Sequence, residues 1–231
     1  MRWRAVLGGL LAGMTALGGC AVPEPAATES VAEEPAVRYV ALGDSYTIGT
    51  SVGEAERWPN QLVARRSDLE LVANLGVNGY TSADLINEEL PQIDALDPEL
   101  VSVLIGVNDV VQGVPDSAYA GNVTVILDEL LARLAPNRIV CVATPDYTFT
   151  PRGASFGDPA QQSDGIARNN AILAEACEQR DVRFVPDTFE LSREARDDPS
   201  LVADDGLHPS GAQYERWVDA IEPVVGELLA E

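Results

Sequence analysis

The sequence predicts an α/β fold in which helices cover a mainly parallel sheet of five strands. Two observations support this: short, almost wholly apolar runs recur along the chain, and segments with helical spacing separate them. Strands that are apolar on both faces are typical of parallel sheets buried between layers of helices. A chain of 231 residues is long enough to form one such domain with a full core.

The elements follow one another in strict alternation over most of the chain. The apolar runs predict strands over residues 37–42, 69–75, 100–105, 138–143 and 182–185. Helical spacing predicts helices over residues 58–66, 82–90, 119–134, 166–179 and 211–229. Ser82 is a candidate helix cap, and Pro223 predicts a kink or break in the last helix.

Polar, glycine-rich turns follow the first three predicted strands. They cover residues 43–45, 76–79 and 106–109. Because ligands of parallel α/β sheets bind beyond the carboxyl ends of the strands, we expect these turns to converge on one crevice. The segment 146–164 is rich in proline and glycine and suits an irregular loop, and whether it covers that crevice is open.

The N-terminus has the composition of an export signal. Arg2 and Arg4 precede an apolar run that ends in small residues before Cys20. This pattern resembles a lipoprotein signal over residues 1–19, with a lipid on the Cys20 thiol and a flexible linker over residues 20–36. The protein would then be exported and anchored to the membrane at the cell envelope. A plain secretory signal with an incidental cysteine is the alternative.

The charge balance limits the possible partners. There are 37 acidic residues against 15 basic ones, all arginine, and the net charge is -22. Such a surface repels nucleic acid and offers no polybasic attachment to anionic lipid. A nucleotide-binding P-loop is excluded because the chain has no lysine, and no Gly-x-Gly-x-x-Gly motif follows the first strand.

Two further cysteines lie within the predicted domain. Cys141 falls in a strand-like run and Cys177 in a helix-like run. An oxidising compartment would permit a disulfide between them, but we expect two separately buried thiols.

His208 is the one histidine of the chain, and Asp205 precedes it by three residues. A short loop can fold this carboxylate back onto the imidazole, where it fixes the tautomer and stabilises the imidazolium of acyl transfer. Ser45 follows the first predicted strand and would need such a base to act as a nucleophile. Capping of the next helix is the alternative role for Ser45.

Acyl transfer also requires hydrogen-bond donors for the developing oxyanion. The candidates are the backbone N–H groups of Ser45 and Gly76 and the side-chain amide of Asn108. Taken singly, Gly76 could be a simple turn glycine, and Asn108 could hydrogen-bond its own loop.

Together these motifs resemble the four conserved blocks of the SGNH hydrolases, also called the GDSL lipases and esterases. The blocks are residues 43–45, Gly76, residues 106–109 and residues 205–209, and the resemblance covers the predicted domain, residues 37–231. One departure is Tyr46, where the family name has leucine. This position is not catalytic in the family, but it could alter the acyl pocket, as could Trp58 and Tyr80, although each of these aromatics also suits core packing.

The resemblance implies a flavodoxin-like three-layer α/β/α sandwich and a serine esterase that needs no metal or cofactor. It makes Ser45 the nucleophile, His208 the base and Asp205 the residue that orients the base. Ser45, Gly76 and Asn108 would form the oxyanion hole. The substrate would be a small ester, of a lipid or of an acylated glycan or small molecule, and a monomer is the default expectation. A catalytically inactive solute-binding lipoprotein with the same fold is the alternative.

Overall fold

The computed structural model describes residues 35–230. The predicted signal peptide, Cys20 and most of the linker lie outside these residues, and their roles stay predictions. Among residues 35–230, no helix combines the length and apolar character that crossing a membrane requires.

The core of the fold is a five-stranded sheet in which every neighbouring pair is parallel. The strand order is β2-β1-β3-β4-β5. The strands are β1 (Val37–Gly43), β2 (Leu69–Asn74), β3 (Leu100–Leu104), β4 (Ile139–Val142) and β5 (Arg183–Val185). This is the strand order of flavodoxin-like sheets, so the predicted parallel sandwich is confirmed.

Helical segments connect the strands. They are α1 (Ser45–Ile48), α2 (Trp58–Arg65), α3 (residues 82–96), α4 (Val107–Val111), α5 (Asp116–Leu131), α6 (Pro159–Glu178), α7 (Asp187–Ser192) and α8 (Gly211–Ala230). The predicted helix 82–90 is therefore the first part of a longer segment, and its cap is Thr81 rather than Ser82, because the Thr81 side chain accepts from the Asp84 N–H. Within α3, residues Leu85–Glu89 form a π-helical turn.

The two faces of the sheet carry separate apolar layers because side chains alternate along each strand. In β1, Tyr39 and Ala41 pack with α2 and α8, whereas Val40 and Leu42 pack with α3, α5 and part of α6. The helix α8 continues through Pro223 without a break. Its buried side chains on both sides of the proline anchor it to the sheet: Tyr214, Trp217, Val218, Ile221, Val225 and Leu228.

Two helices begin earlier than the spacing of apolar residues predicts. Helix α5 starts at Asp116, directly after Pro115, and α6 starts at Pro159. For α6, the Asp158 side chain accepts from the Gln161 N–H, which makes Asp158 the cap and Pro159 the first helical residue. The segment 146–164 is therefore only partly irregular.

Candidate active site

A cavity of about 190 Å³ opens at the carboxyl edge of the sheet, beyond β1 and β3. At this point the chain leaves β1 toward β2 on one side and returns to β3 on the other, which is where α/β sheets of this topology bind ligands. Ser45, Asn108 and His208 all line the cavity. Asn78 and Gly79, from the turn after β2, line it too, so the predicted convergence of the three turns is confirmed.

Ser45 is the first residue of α1, and it is not the cap of that helix. The cap is Asp44, whose carboxylate accepts from the Tyr46 N–H at 2.9 Å. The Ser45 N–H and hydroxyl have no hydrogen-bond partner within the described residues. Both groups are therefore free to contact a ligand. Because Ser45 is only 7% exposed, a ligand reaches it through a narrow opening.

The tight turn before Ser45 requires glycine. Gly43 has φ 152°, and a Cβ there would lie 2.3 Å from the Leu104 carbonyl oxygen on β3. Because any larger residue would clash with this neighbouring backbone, glycine allows the chain to turn sharply out of β1 and present Ser45 at the sheet edge.

His208 and Asp205 lie in a loop closed by a bridge between Val202 and Pro209. The Asp205 Oδ2 lies 2.5 Å from His208 Nδ1, and its Oδ1 accepts from the backbone N–H groups of Leu207 and His208 at 2.8 and 2.9 Å. The Ser51 hydroxyl donates to Oδ2 at 2.8 Å. Partial burial disfavours the charged form of Asp205. The hydrogen bonds outweigh this effect, with the one to the His208 side chain contributing most, and they hold the pKa of Asp205 well below its usual range.

The geometry leaves His208 Nε2 available toward the cavity. With Asp205 on Nδ1, the imidazole can carry its proton there and keep Nε2 as the basic nitrogen. No hydrogen bond joins Nε2 to the Ser45 hydroxyl in this part of the chain, although both residues line the cavity. Such contacts often tighten only when substrate binds. The Tyr46 ring packs against the imidazole with its centroid 5.4 Å away.

Asn108 is held with one amide hydrogen fixed and the other free. Its Nδ2 donates to the Tyr80 carbonyl at 2.8 Å. An amide nitrogen carries two hydrogens, so the second remains for a ligand in the cavity. The alternative, in which Asn108 hydrogen-bonds its own loop, does not hold, because the turn after β2 positions the side chain.

Gly76 does not have the geometry predicted for an oxyanion donor. Its N–H donates to the Asn74 side chain at 3.1 Å, and Gly76 lies outside the cavity. A Cβ at Gly76 would lie 2.7 Å from the Asp44 carbonyl oxygen, so this glycine serves close packing of two turns. Gly79, three residues later, lines the cavity, and its N–H has no acceptor among residues 35–230.

Buried carboxyls to which the sequence motifs assign no role lie beneath Ser45. Glu89, in the π-helical turn of α3, accepts a hydrogen bond from the Gly43 N–H at 2.9 Å. Burial is the largest cause of the shift that raises the pKa of Glu89 to about 9. Burial likewise raises the pKa of Asp44 to about 8 and raises that of Asp109, which accepts from Ser82. At neutral pH, Asp44 and Glu89 are therefore neutral acids under the turn that carries Ser45.

The other walls of the cavity are apolar. Tyr147 and Phe156, which are in edge contact with a centroid distance of 5.5 Å, come from the segment 146–164, so part of that segment forms a wall of the site. The remaining apolar walls come from Tyr46, Val107, Val111 and Leu207. Trp58 is fully buried in the core, and Tyr80 packs against the second apolar layer.

The two cysteines of the described residues take no part in the site. Cys141 and Cys177 are free and fully buried, as predicted, but they are not separate, because the neighbouring Cys177 thiol, together with burial, raises the pKa of Cys141. In the described part of the chain, no group of three or more His, Cys, Asp or Glu side chains could hold a metal ion.

A free serine, a histidine paired with a carboxylate, and unpartnered N–H donors around one cavity define a class: α/β proteins with the side chains of a serine hydrolase. The sequence profile of the GDSL-like Lipase/Acylhydrolase family matches residues 41–216, and the chain belongs to this family. The resemblance drawn from the motifs is thereby confirmed, and with it membership in a family of ester hydrolases. No curated protein matches the chain.

Solved structures share the fold. One is TesA, with a TM-score of 0.67 and 19% identity over 83% of this chain and 99% of that chain. A second is an alpha/beta hydrolase enzyme from the metagenome of Lake Arreo, Spain. Its TM-score is 0.64, and it is 19% identical over 84% of this chain and 98% of that chain. A third is a variant of an acetyl xylan esterase from Geobacillus stearothermophilus. Its TM-score is 0.64, and it is 21% identical over 83% of this chain and 95% of that chain. At these identities the likeness shows a common fold alone.

Proposed function

We propose that the protein is a serine esterase that cleaves esters of short acyl groups. One observation carries the proposal: Ser45, Asn108 and His208 line a single cavity, and Asp205 fixes the histidine from behind. In the proposed cycle, Ser45 Oγ attacks the ester carbonyl while His208 Nε2 takes its proton, and the alcohol leaves with that proton. Water, deprotonated by His208, then releases the acid and restores Ser45.

The proposed oxyanion hole differs from the one expected from the sequence. Its donors are the N–H groups of Ser45 and Gly79 and the free amide hydrogen of Asn108. These three lack intramolecular acceptors among the described residues, and all three residues line the cavity. The Gly76 N–H is already engaged by Asn74 and is not included. Donors fixed in advance stabilise the oxyanion without having to reorganise during the reaction.

The size and lining of the cavity favour a short acyl group. Its volume is about 190 Å³, and a dry apolar cavity of roughly 150 Å³ accepts a group the size of benzene. Aromatic and aliphatic walls suit an acetyl to butyryl chain, whereas a long fatty acyl chain would extend beyond these walls into solvent. The neighbour described as an acetyl xylan esterase is consistent with a short acyl group.

The test is hydrolysis of p-nitrophenyl esters from acetate to palmitate, together with labelling by a fluorophosphonate. We expect the highest kcat/KM on the shortest esters and a label on the peptide that contains Ser45. Folded protein that neither cleaves any ester nor takes up the label would contradict the proposal. A preference for palmitate would contradict the acyl-size argument while leaving the chemistry intact.

Asn108→Ala should lower kcat by about 100- to 1000-fold, because one donor of the oxyanion hole is lost. The Michaelis constant should change much less, since the ground-state carbonyl depends less on this donor. The measurement is steady-state kinetics on p-nitrophenyl acetate, with Asn87→Ala, an exposed position on α3, as the matched control. An unchanged kcat would remove Asn108 from the proposed oxyanion hole.

A further inference from the structure

An open groove of about 460 Å³, lined by polar and apolar groups alike, adjoins the cavity. Two segments form most of it: residues 48–52, which begin at the last residue of α1, and residues 76–78, which follow β2. Asn78 lines both the groove and the cavity, and Ser51 in the groove donates to Asp205. A molecule in the groove would therefore be continuous with one at Ser45.

Arg57 lines this groove and has no ion pair within the described residues. In the same region of the chain, most arginines lie within 4.0 Å of a carboxylate, among them Arg65, Arg66, Arg133, Arg168, Arg180, Arg183, Arg193 and Arg216. The Glu56 carboxylate next to Arg57 instead accepts from the Gly53 N–H at 2.9 Å. In a chain of net charge -22, an arginine without a carboxylate beside the candidate site is available to an external anion.

The position of Arg57 is fixed by packing. Gly49 has φ 71°, and a Cβ there would lie 2.3 Å from Arg57 Cγ, so the arginine stem rests directly on the glycine backbone. The Arg57 Nε is buried and has no acceptor among residues 35–230. A guanidinium held in this way loses less rotamer entropy on binding than a freely moving one.

The groove also offers amide donors. Thr50 donates its hydroxyl to Asn78 Oδ1, which ties the two loops together. The Asn78 Nδ2 is left without an acceptor in the described part of the chain and lies where groove and cavity meet. A guanidinium and a free amide favour a ligand rich in acceptor oxygens.

We propose that this groove binds the alcohol portion of the ester and selects an alcohol that carries an anionic oxygen group, a carboxylate or a phosphate. The proposal rests on the proposed esterase function and extends it to a substrate class. The acyl group would lie in the apolar cavity, and the anion of the leaving alcohol would pair with Arg57. This local pairing would overcome the repulsion that the acidic surface exerts on anions.

The experiment compares two pairs of esters that differ only in the anionic group. One pair is an acetylated methyl galactoside and the corresponding acetylated galacturonate; the other is butyrylglycerol and butyrylglycerol 3-phosphate. The readout is the ratio of kcat/KM for the anionic member to that for the neutral member. For the wild type we expect this ratio to be roughly 10 or more in one pair, which identifies carboxylate or phosphate as the group recognised.

Arg57→Gln should reduce that ratio to about one. Arg138→Gln, which changes an arginine at the amino ends of the strands, directly before β4, should retain the ratio. Arg57→Lys should give an intermediate ratio, because it keeps the charge but loses the planar fork. Thermal unfolding checks that each variant is folded. A wild-type ratio of one or below in both pairs, or a ratio that survives Arg57→Gln, would overturn the proposal.

A direct binding measurement separates this proposal from the esterase function. Calorimetric titration with free galacturonate and glycerol 3-phosphate needs no turnover. Binding by the wild type that is lost in Arg57→Gln would support the groove even if no ester is cleaved. Ester cleavage without a preference for anions would leave the esterase function standing and overturn only the groove.

Discussion

Ser45→Ala should lower kcat for ester hydrolysis by about 10⁴-fold or more while leaving the free energy of unfolding nearly unchanged. The rate falls because Ser45 is the one serine, threonine or cysteine that lines the cavity among the described residues. The fold is spared because the Ser45 hydroxyl makes no hydrogen bond within the described residues, so its removal leaves no partner unsatisfied. Steady-state kinetics and denaturant unfolding measure the two quantities.

His208→Ala should cost a similar factor, and the double variant should be scarcely slower than either single one, since nucleophile and base act as a unit. Ser117→Ala, at an exposed position on α5, is the matched control and should retain full activity. If Ser45→Ala kept wild-type turnover, the observed hydrolysis would require a different nucleophile. If the losses simply multiplied in the double variant, Ser45 and His208 would not act in one step.

Sequence reasoning reaches the strands, the parallel character of their sheet and the local pairing of Asp205 with His208 because each can be inferred from short stretches of the chain. A run of apolar residues indicates a buried strand wherever it lies, and three residues of spacing allow one loop to join carboxylate and imidazole. The same reasoning places Ser45 at a strand end. These parts of the site follow from neighbours in the chain.

The choice between Gly76 and Gly79 could not be made in this way. Both glycines follow β2, and only tertiary contacts decide which N–H is free: the Asn74 side chain engages Gly76, and Asp44 packs against it. The positive φ of Gly79, 85°, belongs to a turn whose shape the residue types do not fix. The early start of α6 was predictable in principle, because Asp158 followed by Pro159 is a helix-start pattern.

Glu89 was also visible in the sequence. A spacing of four places it on the same helical face as Leu85 and Ile93, both of which are buried. An acid on an apolar face should be neutral or paired. The sequence alone does not reveal its partner, the Gly43 N–H at the end of β1, because the π-helical turn of α3 sets where the carboxyl lies.

Glu89→Gln should therefore change how the free energy of unfolding depends on pH. The pKa of Glu89 is raised from 4.5 to about 9 in the folded state. A raised folded-state pKa means that its contribution to stability is fully present below pH 4.5 and is lost progressively as the pH rises toward 9. Asp44, with a pKa raised to about 8, adds a parallel loss, and the buried Asp109 carboxyl nearby shifts in the same direction.

Glutamine keeps a carbonyl oxygen for the Gly43 N–H but cannot ionise. Between pH 5 and 7.5, the unfolding free energy of Glu89→Gln relative to wild type should rise by about 3 kcal/mol, because the slope approaches about 1.4 kcal/mol per pH unit once the pH is well above the unfolded pKa. The difference between pH values is the readout, because any fixed effect of the new amide cancels in it. Urea unfolding across this pH range measures it.

Glu88→Gln removes a carboxyl from the adjacent, exposed position and should leave the wild-type pH slope in place. Equal slopes for wild type and Glu89→Gln would mean that Glu89 is ionised when folded, contrary to its burial. The expected result would carry a consequence for the site above it. Neutral acids beneath Ser45 place no negative charge near the oxyanion that the N–H donors must stabilise, whereas an ionised carboxylate at that depth would oppose it through a poorly screened field.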